Sequence, residues 1–110
     1  MAKKRIPKKL KEKITNYIQV LKEDELPIEK VVLFGSYAKG SQNKWSDVDL
    51  CVISPKFKDP WKATNYLWEK IIFDMEYTIE PVGFNSNDFK NNNSSLINEI
   101  KKNGIEMSIK

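Results

Sequence analysis

Two pieces of sequence, Phe34-Gly35-Ser36-Tyr37-Ala38-Lys39-Gly40 and Ser46-Asp47-Val48-Asp49-Leu50, decide how this chain is read. The apolar run Val31-Val32-Leu33-Phe34 stops at Gly35, as a buried strand does. Residues 35–46 hold Gly35, Ser36, Gly40, Ser41 and Asn43, which predicts a turn with room for one helical turn. Val48 to Ile53 predicts a second strand, ended by Ser54-Pro55. In an extended chain, residues two apart share a face, with Cα atoms about 6.6 Å apart. Asp47 and Asp49 therefore project to one side, while Val48, Leu50 and Val52 point the other way, into the core.

Working outward, Leu10, Ile14, Tyr17, Ile18 and Leu21 recur at helical spacing. They predict an amphipathic helix from Pro7 to Glu23, with Pro7 in its first turn and Leu26-Pro27 ending it. Pro60 to Phe73 predicts a helix whose apolar face carries Trp61, Leu67, Trp68, Ile71 and Ile72. Glu76 to Phe84 alternates and predicts a third strand, with Pro81 arguing for an edge position or a bulge. Asn91 to Ser95 is a polar loop. Ser94 or Ser95 can cap a helix over Leu96–Lys102, closed by Asn103-Gly104, and a short strand follows in Ile105–Ile109. The order is α-β-turn-β-α-β-α. A chain of 110 residues then reads as one α/β domain. The expected division is a basic N-terminal helix in residues 1–27, a β-α-β-α-β core in 28–84 that carries both opening motifs, and a closing helix with its strand in 85–110.

Composition removes several chemistries. The chain has no histidine and one cysteine, Cys51. That excludes His-based triads, His or thiolate zinc sites and an intrachain disulfide. Any metal is held by oxygen, which points to Mg²⁺ or Mn²⁺ rather than Zn²⁺. Cys51 reads as an inert buried thiol. The net charge is +4, yet Lys3, Lys4, Arg5, Lys8, Lys9, Lys11 and Lys13 stand against Glu12 alone in the first thirteen residues, so the remainder is net acidic. That segment is either a solvated helix start or a nucleic-acid contact. No apolar run spans a membrane and no secretory h-region follows the basic start, so the expected setting is cytoplasmic.

The acids carry the chemistry. Two carboxylates on one strand face repel each other, and a cation between them removes that cost. Paired divalent ions about 3.5–4 Å apart are the usual device of phosphoryl and nucleotidyl transfer. Gly35 lets backbone amides approach an anion, and the Ser36 hydroxyl adds a donor. A third acid completes the set. Glu80 faces the pair if the third strand lies beside the second, where it would hold metal and take the acceptor's hydroxyl proton. Glu76 shares that strand face and competes with it; Asp74 and Asp88 read as loop or cap residues.

Gly35-Ser36, ten residues, then Asp47-Val48-Asp49 resembles the signature of the minimal nucleotidyltransferases, in the DNA polymerase β-like superfamily. The likeness extends to Trp45–Leu50, Ile79–Phe84 with Asp88-Phe89, and Ile100–Ile105. It implies a small mixed sheet flanked by helices. It implies Mg²⁺-dependent transfer of a nucleoside monophosphate, AMP foremost, from ATP or another NTP to a hydroxyl. Asp47, Asp49 and Glu80 would hold metal and act as catalytic acids. Gly35, Ser36, Lys39, Gly40 and Ser46 would bind nucleotide phosphate. Many relatives are antitoxins whose partner is a helical HEPN-type ribonuclease toxin, and some transfer AMP to a tyrosine of that toxin. Two positions depart from the pattern: Glu80 stands where Asp is frequent, and Lys39 where Arg is frequent. Lysine binds phosphate as a point charge without a fork.

Trp45 either packs on the turn or stacks on a base, and Tyr37 faces either nucleotide or partner. Trp61, Tyr66 and Trp68 read as mainly core, with enough aromatic bulk left over for a homodimer or partner surface. Three functions compete: a nucleotidyltransferase modifying a partner protein, an antitoxin acting by occlusion alone, and a nucleic-acid binder using residues 1–13.

Overall fold

The computed structural model describes residues 6–43, 46–71 and 77–109. Readings placed on Lys3, Lys4, Arg5, Trp45, Ile72, Phe73, Asp74 and Glu76 lie outside the described residues. The elements are α1 (Lys8–Glu23), β1 (Lys30–Phe34), α2 (Ser36–Lys39), β2 (Val48–Ile53), α3 (Pro60–Glu69), β3 (Ile79–Phe84), α4 (Ser86–Asn91), α5 (Ser95–Asn103) and β4 (Ile105–Met107).

The four strands form one mixed sheet in the order β3-β2-β1-β4. β1 runs antiparallel to β2 and to β4, whereas β2 and β3 are parallel, joined through α3. Pro81 therefore sits on an edge strand, where a missing N–H breaks no ladder. The neighbouring edge donor, the Gly83 amide, is capped by the Thr64 hydroxyl at 3.2 Å.

Strand alternation sorts the core into two layers. Leu10, Ile14, Tyr17, Ile18 and Leu21 of α1 and Ala63 and Leu67 of α3 bury against Val31, Leu33, Val48, Leu50, Val52 and Ile79. On the other face Ile97 and Ile100 of α5 meet Val32, Phe34, Cys51, Ile53 and Phe84. The Tyr17 hydroxyl donates to the Leu67 carbonyl at 2.6 Å and ties α1 to α3. α1 ends in a Schellman arrangement: the Leu26 amide donates to Leu21 O, the Glu25 amide to Lys22 O, and Glu25 takes φ 64°.

Some expectations are corrected. Pro7 is the residue before α1, not part of its first turn. α3 ends at Glu69, short of the expected Phe73, and the strand expected from Glu76 begins at Ile79. Trp61 and Trp68 are not core: they are 75% and 45% exposed. Seven residues apart, both lie on the outer side of α3, opposite the small residue Ala63 and Leu67 that touch the sheet. α4 was not expected. It has no fully buried residue; Asn85 caps it, Oδ1 accepting from the Asp88 amide at 2.7 Å and Nδ2 donating to Phe57 O at 2.8 Å, and Phe89 alone packs inward, its ring centroid 6.4 Å from that of Phe84. Among the described residues no helix is long and apolar enough to cross a membrane.

Candidate active site

The parallel register of β2 and β3 puts Asp49 directly beside Glu80, and the antiparallel register of β1 puts Phe34 across from Asp49. Gly35 leaves β1 at that corner. Asp49 and Glu80 lie on the same sheet face as Cys51, Val82 and Phe84, so the acids sit at one end of the layer covered by α5. Asp47 precedes β2 and is exposed; Asp49 and Glu80 are half-buried.

Glu80 is the member of the set that meets both others. Glu80 hydrogen-bonds to both Asp49 and Asp47. Carboxylates cannot bond to each other without a shared proton, so the arrangement is satisfied either by protons or by a cation. Burial first, then the charges of Asp47 and Asp49, then these hydrogen bonds, raise the Glu80 carboxyl above its ordinary range. Asp49 is likewise raised by burial and by Asp47, with the bond from Glu80 opposing. The donors are all oxygen, the set a hard divalent cation takes. Among the described residues, however, no three His, Cys, Asp or Glu stand as a ready-made cage.

Gly35 has φ 74° and ψ −150°, a conformation open essentially to glycine. A Cβ at this position would lie 2.1 Å from Asp49 Oδ2. The glycine thus makes room for the acid as well as shaping the turn. Ser36 opens α2, whose Ala38 and Lys39 amides return to Gly35 O at 3.1 Å. Gly40 closes it in the left-handed conformation, φ 76°, with open space around it. Ser46 Oγ accepts from the Asn43 amide at 2.9 Å, so this hydroxyl braces the turn. Lys39 is paired with Glu99 of α5 at 3.1 Å. Tyr37 is buried edge-on against Tyr77, with ring centroids 6.2 Å apart, beside the turn.

A sequence model of the nucleotidyltransferase domain family matches residues 14–106. The chain belongs to this family. No curated protein matches its sequence. Solved structures share the fold. A candidate nucleotidyltransferase from Sulfolobus solfataricus is 14% identical, with a TM-score of 0.65 over 89% of this chain and 78% of that one. A toxin–antitoxin complex with AMP-PNP is 21% identical, with a TM-score of 0.56 over 87% and 70%. A variant of the MntA–HpeT toxin–antitoxin pair, with two aspartates changed to glutamate, is 19% identical, with a TM-score of 0.55 over 87% and 70%.

In this nucleotidyltransferase domain the sequence pattern overlooked Glu99 and Asn103. Asn103 Nδ2 donates to Glu99 Oε2 at 3.2 Å, and the same oxygen meets Lys39. Nothing local marks them, since only the packing of α5 on β1 brings them to the turn. A separate cavity of about 440 Å³ lies beyond the far end of β2, away from Asp47, Asp49 and Glu80; its lining is mixed, with apolar Leu26, Phe57 and Ala63, the Tyr66 ring, and both lysines and carboxylates.

Proposed function

We propose that this domain transfers a nucleoside monophosphate, AMP foremost, from an NTP to a hydroxyl of a partner protein, a helical toxin that it neutralises. The observation that carries the reading is the convergence of Glu80 on Asp47 and Asp49 beside a glycine corner that leaves room only for the Asp49 carboxylate. Asp47, Asp49 and Glu80 would hold Mg²⁺ or Mn²⁺. Bound there, the metal would neutralise triphosphate charge and stabilise the attacking and leaving oxygens. The Gly35-Ser36 turn offers backbone amides to the phosphates, and Lys39 adds a point charge. The acceptor hydroxyl attacks the α-phosphorus, pyrophosphate departs, and the hydroxyl proton passes to Glu80.

Toxin–antitoxin structures among the fold neighbours, one of them with AMP-PNP, support the choice of partner and nucleotide. Exposed Trp61 and Trp68 offer that partner rigid apolar anchors. The test is incubation with labelled ATP, Mg²⁺ and a co-encoded helical protein. Label should appear on that protein and vanish with Asp47→Asn or Asp49→Asn. Neutralisation that survives both substitutions without any label would instead support occlusion alone.

A further inference from the structure

The acid cluster lies on the α5 side of the sheet, and α5 sends one carboxylate toward the glycine turn. Glu99 Oε2 receives Lys39 Nζ at 3.1 Å and Asn103 Nδ2 at 3.2 Å. Asn103 ends α5 next to Gly104, where a Cβ would come within 2.4 Å of both Ile100 O and Val32 Cγ1. The base of this strut is thus seated against β1. The Lys39–Glu99 pair is half-exposed, at 47% and 33% for the two side chains. Such half-exposed pairs contribute little to folding. Stability does not account for it, and the location suggests another use. Lys39 lies one helical turn from Gly35, which touches Asp49. A lysine side chain reaches about that far, roughly 6 Å. Left free, its ammonium would pair with these acids and compete with any cation for them.

We propose that Glu99 is a positioning residue that holds Lys39 on the α5 side of the turn, so that the lysine meets the triphosphate instead of collapsing onto Asp47, Asp49 and Glu80. The inference rests on the nucleotide site proposed above. Lys39 draws the Glu99 carboxyl below its ordinary range, as a persistent ion pair does.

Calorimetric titration of the intact protein with Mg²⁺ alone and with Mg²⁺–ATP tests it, using Glu99→Gln, Lys39→Met and the double variant. Glu99→Gln should weaken both titrations about fivefold, with melting temperature nearly unchanged. In the Lys39→Met background the same change should do nothing, since no lysine remains to misplace. Asn103→Ala, which loosens Glu99 without removing its charge, should give a smaller loss in the same direction, again only when Lys39 is present. Additive losses from Glu99→Gln and Lys39→Met, or no loss from Glu99→Gln, overturn the positioning role while leaving the nucleotide site standing. No Mg²⁺–ATP binding by the wild-type protein overturns both.

Discussion

The two faces of β2 are made of the same six residues and put to different uses. Val48, Leu50 and Val52 are wholly buried beneath α1 and α3. On the opposite face Ile53 and Cys51 are buried under α5, but the series ends in Asp49, half-exposed beside Glu80. One face is given over entirely to stability. The other is apolar for part of its length and then turns to like charges held together at a cost. In such a strand the chemistry can be altered without loss of the fold, and the fold can be damaged without touching the chemistry.

The comparison breaks most severely at the buried face. Leu50→Ala removes a fully buried side chain between the two helices and the sheet. Denaturant unfolding should show a loss of about 2–5 kcal/mol, with the acids unchanged. Next comes Gly35→Ala, which forces a Cβ against Asp49 Oδ2 and strains a backbone at φ 74°. A loss of about 1–3 kcal/mol is expected by the same measurement. The clash component should vanish in an Asp49→Ala background, leaving the backbone strain alone. Equal penalties in both backgrounds would show that Gly35 does not serve the acid.

A smaller effect, of opposite sign, is expected at Asp49 itself. Asp49 and Glu80 are raised, chiefly by burial, so the folded protein keeps protons that the unfolded chain releases first. The stability this adds is complete below the unfolded carboxyl pKa, about 4, and is lost as pH rises through the higher folded values. Without metal, Asp49→Asn should therefore melt above wild type at neutral pH, and the difference should shrink toward pH 4. Mg²⁺ should raise the wild-type melting temperature and leave the variant's unmoved. A variant that melts lower at every pH would mean that the acids attract rather than repel the fold.

What could be read from sequence follows the same division. β1 and β2 were legible because Gly35 and Ser54-Pro55 punctuate apolar runs. Pro81 correctly pointed to an edge. α4 was not legible because a cap by Asn85 and the single inward ring of Phe89, rather than an apolar stripe, hold it. Trp61 and Trp68 misled because hydrophobic spacing reports a stripe without saying whether a sheet or solvent lies against it, and Ala63 with Leu67 took the inner side. The Glu99–Lys39 pair is tertiary, and no local pattern announces it.

The smallest effect belongs to Cys51, on the same face as Asp49 but one step further under α5. Burial alone pushes its thiol up to about 12, so the reactive thiolate is scarce at neutral pH. A disulfide reagent should modify it only as fast as the protein opens, and wild type and Asp49→Asn should both be protected. Leu50→Ala should speed the reaction strongly, because it lowers the cost of opening without altering the thiol's own face. If Asp49→Asn exposes Cys51 as readily as Leu50→Ala does, the division between the two faces fails, and the acids are part of what closes the α5 layer.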